Sequence, residues 1–288
     1  MQPNPPETHR MSAPQFTPLP LFGGADIRAP APPAWAPLPV AGVPRFDAAM
    51  VLAQWPRLHT GQPLPPPSDP ALADAWALYH SGDFAAAAAA GLALGDGGAS
   101  LADQATAIYA NYVEPREATR LALFRQVGDR AHARAIVHPE DCQALYWHAY
   151  ALGRYAQAVS VARALAQGLG GKLKQTLERI IELQPQHADA HFALGAFHAE
   201  VIDKVGPLVG RMTYGVRADT AVALFERGLE INPHSATGLM EYARALLALE
   251  GDGRLQEATA LYERAAAIEP SDAREQLDAE LAKAGLQD

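Results

Sequence analysis

The chain has 288 residues, 49% of them hydrophobic, so it is long enough to bury a sizeable core. Its 32 acidic residues outnumber its 23 basic residues, and a net charge of −9 argues against nucleic acid as the expected partner, since phosphate binding needs a basic surface. Cys142 is the only cysteine, which excludes an internal disulfide and a cysteine-rich zinc site.

The N-terminal segment, residues 1–70, holds 18 of the 24 prolines. Each proline removes a backbone donor and fixes φ, so we predict a Pro-rich segment that is extended or disordered, followed by a helical domain over 71–288. The segment starts at Met1 or Met11 and has no basic region followed by an apolar stretch, as a signal peptide would. The longest apolar run, 84–94, has 11 residues and is too short to span a bilayer. We therefore expect a soluble, cytoplasmic protein.

The N-terminal segment also carries aromatic residues, unlike a highly charged disordered tail. Two of them are Trp35, in "PAPPAWAPLP", and Trp55, in "FDAAMVLAQW". One interpretation is a floppy tail or a wrongly assigned start. The other is self-docking, in which these stretches lie on the protein's own binding groove and compete with a partner at an effective concentration of about millimolar.

From residue 71 the chain is rich in alanine and leucine, and four prolines open similar phrases, Pro-x-x-small followed by a helical pattern. These prolines are Pro139, Pro185, Pro233 and Pro270, at spacings of 46, 48 and 37. A repeat in this range indicates a helical solenoid. No alternating strand pattern occurs in the sequence, so we predict an all-α domain.

Two repeats fit a spacing of small, aromatic, small and proline that resembles the tetratricopeptide repeat. The matching sets are Ala258, Tyr262, Ala265 and Pro270, and Ala221, Phe225, Gly228 and Pro233. Small residues let the two helices of a hairpin approach, and the aromatic ring fills the space between them. The resemblance implies a right-handed solenoid of helical hairpins.

Three histidines, His187, His191 and His198, fall on one line of a predicted helix in "ELQPQHADAHFALGAFH". A zinc site would need further ligands and a glutamate placed as in H-E-x-x-H. Aligning Pro185 with the repeat instead places this line on the buried face, where histidines are usually core residues. We expect no metal, no cofactor and no catalytic residue, and Cys142, at a small position of the repeat, is expected to be packed and inert.

Residues 139–250 resemble the tetratricopeptide domain of the regulator of microtubule dynamics family and its bacterial relatives. The matching features are the opening Trp147-x-Ala149, Leu194-Gly195 before an insertion, and a bend at Tyr214-Gly215. This resemblance implies protein interaction without established catalytic chemistry. A second, weaker resemblance is to the helical-repeat T component of tripartite solute transporters, and it implies a carrier of a small molecule.

In the repeat register, the first helix of each hairpin lines a concave groove. We predict that the groove binds a protein or peptide partner through mixed aromatic, apolar and charged side chains. The predicted contacts are Gln143, Tyr146, Tyr150, Asp189, Phe192, Glu200, Thr237, Met240 and Arg244.

The stretch 201–217 is roughly a dozen residues longer than the repeat needs, and long loops in compact domains are often functional. It groups basic residues beside a methionine and a tyrosine, which suits an acidic peptide or an anionic ligand; the alternative is a structural flap. The residues are Lys204, Arg211, Met212, Tyr214 and Arg217.

The sequence thus predicts a non-catalytic scaffold that binds a peptide segment in the groove. The alternative is a helical-repeat carrier of a small or apolar molecule. A metal-dependent enzyme at the histidine line is the third and least favoured hypothesis.

Overall fold

The computed structural model describes residues 34–158 and 167–286, and within these ranges all regular structure is helical. The all-α prediction is confirmed for this part of the chain; the tetratricopeptide-like arrangement stays a prediction. The α-helices are α1 (Ala48–Leu58), α2 (Pro70–His80), α3 (Phe84–Ala93), α4 (Ala99–Tyr112), α5 (Glu117–Val137), α6 (Cys142–Ala158), α7 (Leu169–Leu183), α8 (Ala188–Val205), α9 (Pro207–Tyr214), α10 (Ala218–Ile231), α11 (Ala236–Glu250), α12 (Leu255–Ala266) and α13 (Ala273–Gly285).

The four proline phrases begin helices at a constant offset. In α6, α8, α11 and α13, the first helical residue is the third residue after the proline. The residue before it acts as the cap: the Ser235 hydroxyl accepts from the Gly238 amide at 3.0 Å, and the Asp272 carboxylate accepts from the Glu275 amide at 2.8 Å. The repeated phrase is therefore a helix-start signal.

Small residues allow close helix packing in the C-terminal part, as their spacing predicts. Gly228 of α10 and Gly238 of α11 both lie against the ring of Phe192 of α8, where a Cβ on either glycine would clash. The neighbouring ring of Phe225 stacks on Tyr242 with centroids 5.1 Å apart. These contacts join α8, α10 and α11 into one apolar cluster.

The N-terminal segment differs from the extended or unstructured prediction within the described residues. Residues 48–58 form α1, because no proline lies between Pro44 and Pro56 and Asp47 caps the first turn. Trp55 of α1 is buried in the main core. The part of the prediction that concerns residues 1–33, including the choice between Met1 and Met11, lies outside the described residues.

Trp35 and Trp55 both pack on the protein's own helices. The ring of Trp35 stacks on Tyr109 of α4 at 4.0 Å between centroids, and Trp55 meets Trp76 of α2 edge-on at 5.5 Å. The helical unit therefore includes residues before 71.

The stretch 201–217 is mostly helical, so its interpretation as a loop is wrong. Helix α8 continues to Val205, and α9 follows after a single residue, Gly206, whose φ is +83°. Pro207 occupies the first position of α9, which suits its fixed φ, and Gly215 ends α9 in the left-handed conformation. Gly206 thus ends α8, Pro207 begins α9 and Gly215 ends α9.

Helix α13 and residues 59–62 tie the first helices of the described chain to later ones. His80 Nδ1 lies 2.7 Å from Asp272 Oδ2, and the Tyr112 hydroxyl donates to Asp278 Oδ1 at 2.5 Å. The Ala188 amide donates to the carbonyl of Gly61 at 2.8 Å. We call these three contacts the seam. Helix α13 and its N-cap therefore contact both α2 and α4.

Candidate binding cavity

A cavity of about 240 Å³ is lined by side chains of α4, α6 to α9, α11 and α13. Its walls are mainly apolar, with six aromatic residues, and they also carry six charged residues. The aromatic lining residues are Tyr112, Tyr146, Tyr150, Phe192, Phe197 and Tyr214.

Small residues on facing helices leave the space open. Ala193 and Ala196 of α8 line the cavity opposite Ala149 and Gly153 of α6. Their spacing of three or four residues puts each pair on one helix face. The cavity therefore follows from small residues on one face of each helix.

The three carboxylates that line the cavity already accept hydrogen bonds from protein groups. Asp189 accepts from Gln62 Nε2 at 2.6 Å, and Glu200 accepts from Gln157 Nε2 at 3.1 Å. The guanidinium of Arg244 donates to Glu241 at 3.1 Å. Their charges are thus partly satisfied by the fold.

The arginines that line the cavity have fewer hydrogen-bond partners than its carboxylates. The guanidinium of Arg274 lies 3.6 Å from Asp189 and 3.9 Å from Asp278, longer than a charged hydrogen bond, and it makes no hydrogen bond to any residue of the described ranges. Arg154 donates to the Gln157 side chain at 3.2 Å, and its guanidinium carbon lies 5.3 Å from the centre of the Tyr150 ring. No carboxylate of the described residues lies within 4.0 Å of Arg154.

Burial and charge together set the protonation of these groups. Burial opposes the charge on Arg274, but Asp189 and Asp278 outweigh it and hold the pKa of this guanidinium well above its usual value. Burial raises the pKa of Asp278 to about 6, although Arg274 and Tyr112 favour its charged form. Burial also raises the pKa of Tyr146 well above its ordinary value, with the charge of Asp189 adding to the effect. Tyr146 therefore stays neutral and Arg274 stays charged at neutral pH.

The structure brings most predicted groove residues together. Residues from both the groove and the 201–217 stretch line the cavity: Tyr146, Tyr150, Asp189, Phe192, Glu200, Lys204, Tyr214 and Thr237.

Three predicted groove residues do not line the cavity. Met240 is fully buried in the apolar cluster of α8, α10 and α11, because the cavity-facing positions of α11 are Thr237 and Glu241. Gln143 is also buried, whereas Arg244 is exposed and bonds to Glu241 and Tyr262.

The basic group predicted in 201–217 is dispersed. Arg211 is exposed, and the side chain of Met212 is 80% exposed on α9. Arg217 pairs with Asp219 at 2.5 Å, a partner only two residues away. Of the basic residues there, only Lys204 lines the cavity, so this stretch is not an anion site by itself.

Sequence reasoning missed Arg274, although a signal was present. Gln143, Asp189 and Thr237 each follow a repeat proline by four residues, and Arg274 stands at the same offset from Pro270. Extending the register to the last repeat would have included it. Tyr112 and Arg154 were also missed; Arg154 continues the line of Tyr146 and Tyr150 along one face of α6.

The three aligned histidines use one ring nitrogen each on the backbone. His187 is fully buried and accepts from the Ala190 amide at 3.3 Å, and Nδ1 of His191 lies 3.0 Å from the carbonyl oxygen of His187. His198 Nδ1 lies 3.3 Å from the backbone of Arg217. Burial lowers the pKa of all three, that of His187 to about 4.

Metal binding and thiol chemistry concern other residues of the chain. Within 34–158 and 167–286, no group of three His, Cys, Asp or Glu side chains is placed to hold a metal ion. Cys142 is buried, and burial raises the pKa of its thiol to about 11, so the thiol is protonated at neutral pH. None of the described helices has the length and apolar character that crossing a bilayer requires.

The chain matches no protein-family model, and a search of curated proteins finds no match. The resemblances of residues 139–250 therefore stay predictions. What the protein does is inferred from the chemistry of the cavity.

Proposed function

We propose that this protein is a non-catalytic binding protein that holds a small amphipathic ligand in its concave cavity. The observation that carries the proposal is the mainly apolar lining, which includes six aromatic rings and six charged residues, in particular Arg274. Ligand sites are typically concave, mainly apolar and furnished with a few well-placed polar groups. This corresponds to the carrier alternative of the sequence analysis.

The lining residues also favour binding over catalysis. Among the described residues that line the cavity there is no histidine, cysteine or serine. Of the groups that often serve as nucleophile or general base, this set keeps Lys204, which pairs with Asp203 at 3.2 Å, and carboxylates that are already hydrogen-bonded. The tyrosines have raised pKa values where burial is complete, which keeps them protonated.

A peptide scaffold is the second candidate, and one observation favours it. Leu208 and Met212 of α9 are 70% and 80% exposed and lie one turn apart on a helix whose last residue, Tyr214, lines the cavity. A peptide whose end enters the cavity would cover this apolar face.

The test is to fill the cavity. Ala196→Phe places a ring in the space, and Ala223→Phe makes the same change at an exposed position of α10. Native mass spectrometry of protein purified from source cells is expected to show a bound small molecule on the wild type and on Ala223→Phe, and none on Ala196→Phe. Circular dichroism checks that each variant is folded.

Two other outcomes of the cavity-filling experiment would contradict the ligand proposal or favour the peptide scaffold. If all three proteins carry the same bound species, or the wild type carries none, the cavity is not the ligand site proposed here. A protein partner that is retained by wild type and Ala223→Phe and lost by Ala196→Phe would favour the peptide scaffold. These experiments use the full chain, because Val51 and Trp55 belong to the core.

A further inference from the structure

We propose that the cavity recognises a ligand through a carboxylate group, which Arg274 and Arg154 bind while the aromatic walls hold an apolar body. This inference rests on the proposed function and names the chemical class of the ligand. It follows from an imbalance between donors and acceptors in the cavity.

Arg274 supplies the strongest part of this imbalance. A guanidinium carries five N–H donors, and Arg274 uses none of them on a described residue within hydrogen-bond distance. Its side chain retains 20% exposure although it lies on the inner side of the helices, where it lines the cavity. Donors left without acceptors in a largely apolar site are costly, so an incoming acceptor gains more there than in water.

Arg154 adds a second set of donors. It donates to the amide oxygen of Gln157, a neutral group. Burial opposes its charge, but the hydroxyl of Tyr150 and the charge of Glu241 favour the charged form and hold its pKa above the ordinary value. The guanidinium carbon lies 5.3 Å from the centre of the Tyr150 ring, within the range of a cation–π contact. Two arginines therefore present donors, whereas the lining carboxylates Asp189, Glu200 and Glu241 already accept from protein groups. The unmet requirement is for an acceptor.

A carboxylate fits this requirement better than a phosphate or an ammonium group. Three basic residues, Arg154, Lys204 and Arg274, line the cavity together with three acidic residues, so it has no large excess of positive charge for a dianion. An ammonium group would bring further donors to a site that lacks acceptors. The planar carboxylate matches the fork of a guanidinium.

Four probes with one apolar body and different head groups test the inference: 3-phenylpropanoate, 3-phenylpropan-1-ol, 3-phenylpropylammonium and 3-phenylpropyl phosphate. Calorimetric titration of the full chain is expected to give at least tenfold tighter binding for the carboxylate than for the other three. A charged hydrogen bond in a desolvated site is of a size that gives about a tenfold effect.

Arginine variants then locate the head group. Arg274→Met and Arg154→Met keep much of the side-chain length and remove the charge; each is expected to weaken binding of 3-phenylpropanoate at least tenfold and of the alcohol less than threefold. Arg227→Met, at an exposed arginine of α10 that pairs with Glu230, is the matched control and should leave both affinities unchanged. If Arg274→Met fails to fold, Arg154→Met still decides the outcome.

The failures of the two proposals are distinguishable. Equal binding of carboxylate and alcohol, tighter binding of the phosphate or ammonium probe, or unchanged carboxylate affinity in the arginine variants would overturn the head-group inference and leave the binding function standing. No binding of any of the four probes would overturn the inference, and the cavity-filling test decides the binding function separately.

Discussion

The two charged residues near the start of α13 lie in different surroundings. Asp272 belongs to the seam: its carboxylate lies 2.7 Å from His80, with side-chain exposures of 6% and 1%, and it also caps α13. Arg274, two residues later, belongs to the cavity, where its nearest carboxylates are at 3.6 and 3.9 Å. Protein groups bond to the carboxylate of Asp272, whereas the guanidinium of Arg274 keeps N–H donors without an acceptor among the described residues. This comparison separates charges that hold the helices together from charges that serve a ligand.

The largest expected effect comes from breaking the seam. Burial opposes the charge on Asp272, but the hydrogen bond and charge of His80 outweigh it and keep the pKa of Asp272 below its ordinary value. We expect Asp272→Ala to lower the free energy of unfolding by about 3–5 kcal/mol, since it removes one partner of a buried pair together with a helix cap. Urea denaturation followed by circular dichroism measures the loss.

The matched control for Asp272→Ala is Asp47→Ala. Asp47 caps α1 through the Met50 amide at 2.8 Å and is exposed. Its loss should cost about 1 kcal/mol, the usual size for a cap. If the two variants are equally destabilised, the contact between His80 and Asp272 contributes nothing beyond capping.

His59 packs beside the seam, and its burial predicts that the free energy of unfolding depends on pH. It stacks on Trp55 at 3.8 Å, lies 5.3 Å from the ring of His80, and neither of its ring nitrogens has a hydrogen-bond partner among the described residues. Burial, with the charge of His80 adding to it, lowers the pKa of His59 from 6.5 to about 3. The ring is therefore neutral in the folded protein over the whole range in which it titrates when unfolded.

The direction of this pH dependence follows from the lowered pKa of His59. The unfolded state binds the proton first, so the contribution of His59 is fully present above pH 6.5 and is lost as the pH falls toward 3. Between pH 7.5 and pH 5 this loss amounts to about 2 kcal/mol. We expect His59→Phe to reduce the change in unfolding free energy between these pH values by that amount. An unchanged difference would show that His59 is not buried as a neutral ring.

Tyr112 lies at the boundary of the two regions, because it lines the cavity and also donates to Asp278 in the seam. We expect Tyr112→Phe to cost about 1–2 kcal/mol at pH 7.5, where Asp278 is charged and the hydrogen bond is charge-assisted. Burial raises the pKa of Asp278 to about 6, so this carboxyl is largely protonated at pH 5 and adds stability there as the pH falls.

The cost of Tyr112→Phe should therefore be smaller at pH 5 than at pH 7.5. Tyr262→Phe, which removes a hydroxyl bonded to Arg244 on the surface, is the control and should show no such dependence. Paired urea titrations at the two pH values give the comparison. Equal costs at the two pH values would mean that the protonation state of Asp278 does not change between them, and a larger cost at pH 5 would contradict the charge-assisted hydrogen bond.

Local sequence signals predicted the helix starts but not every element. The phrases at Pro139, Pro185, Pro233 and Pro270 mark helices because each sets a turn, a cap and a small first residue. The proline count concealed α1, because most of that helix lies between Pro44 and Pro56 and it continues through Pro56 to Leu58. In 201–217 the glycines and the proline were interpreted as a loop, although the same residues end one helix and begin the next.

The sequence predicted those cavity residues that occupy equivalent positions in the repeats. The register placed Asp189 and Thr237 correctly on the cavity wall, and its extension gives Arg274. It could not predict the seam, because His80 and Asp272 are 192 positions apart and no local pattern links them. The position of α13, and with it the place of Arg274 on the cavity wall, depends on such long-range contacts.

The smallest expected effect is on the cavity side. Arg154 has no carboxylate partner in the described part of the chain, and its contacts with Tyr150 and Gln157 are individually weak. We expect Arg154→Met to change the free energy of unfolding by less than about 1 kcal/mol in the same urea experiment in which Asp272→Ala loses several times more. A loss above about 2 kcal/mol would place Arg154 with the seam, as a charge that the fold needs. A near-zero change, together with weakened binding of 3-phenylpropanoate, would show that its guanidinium is held in place for a ligand.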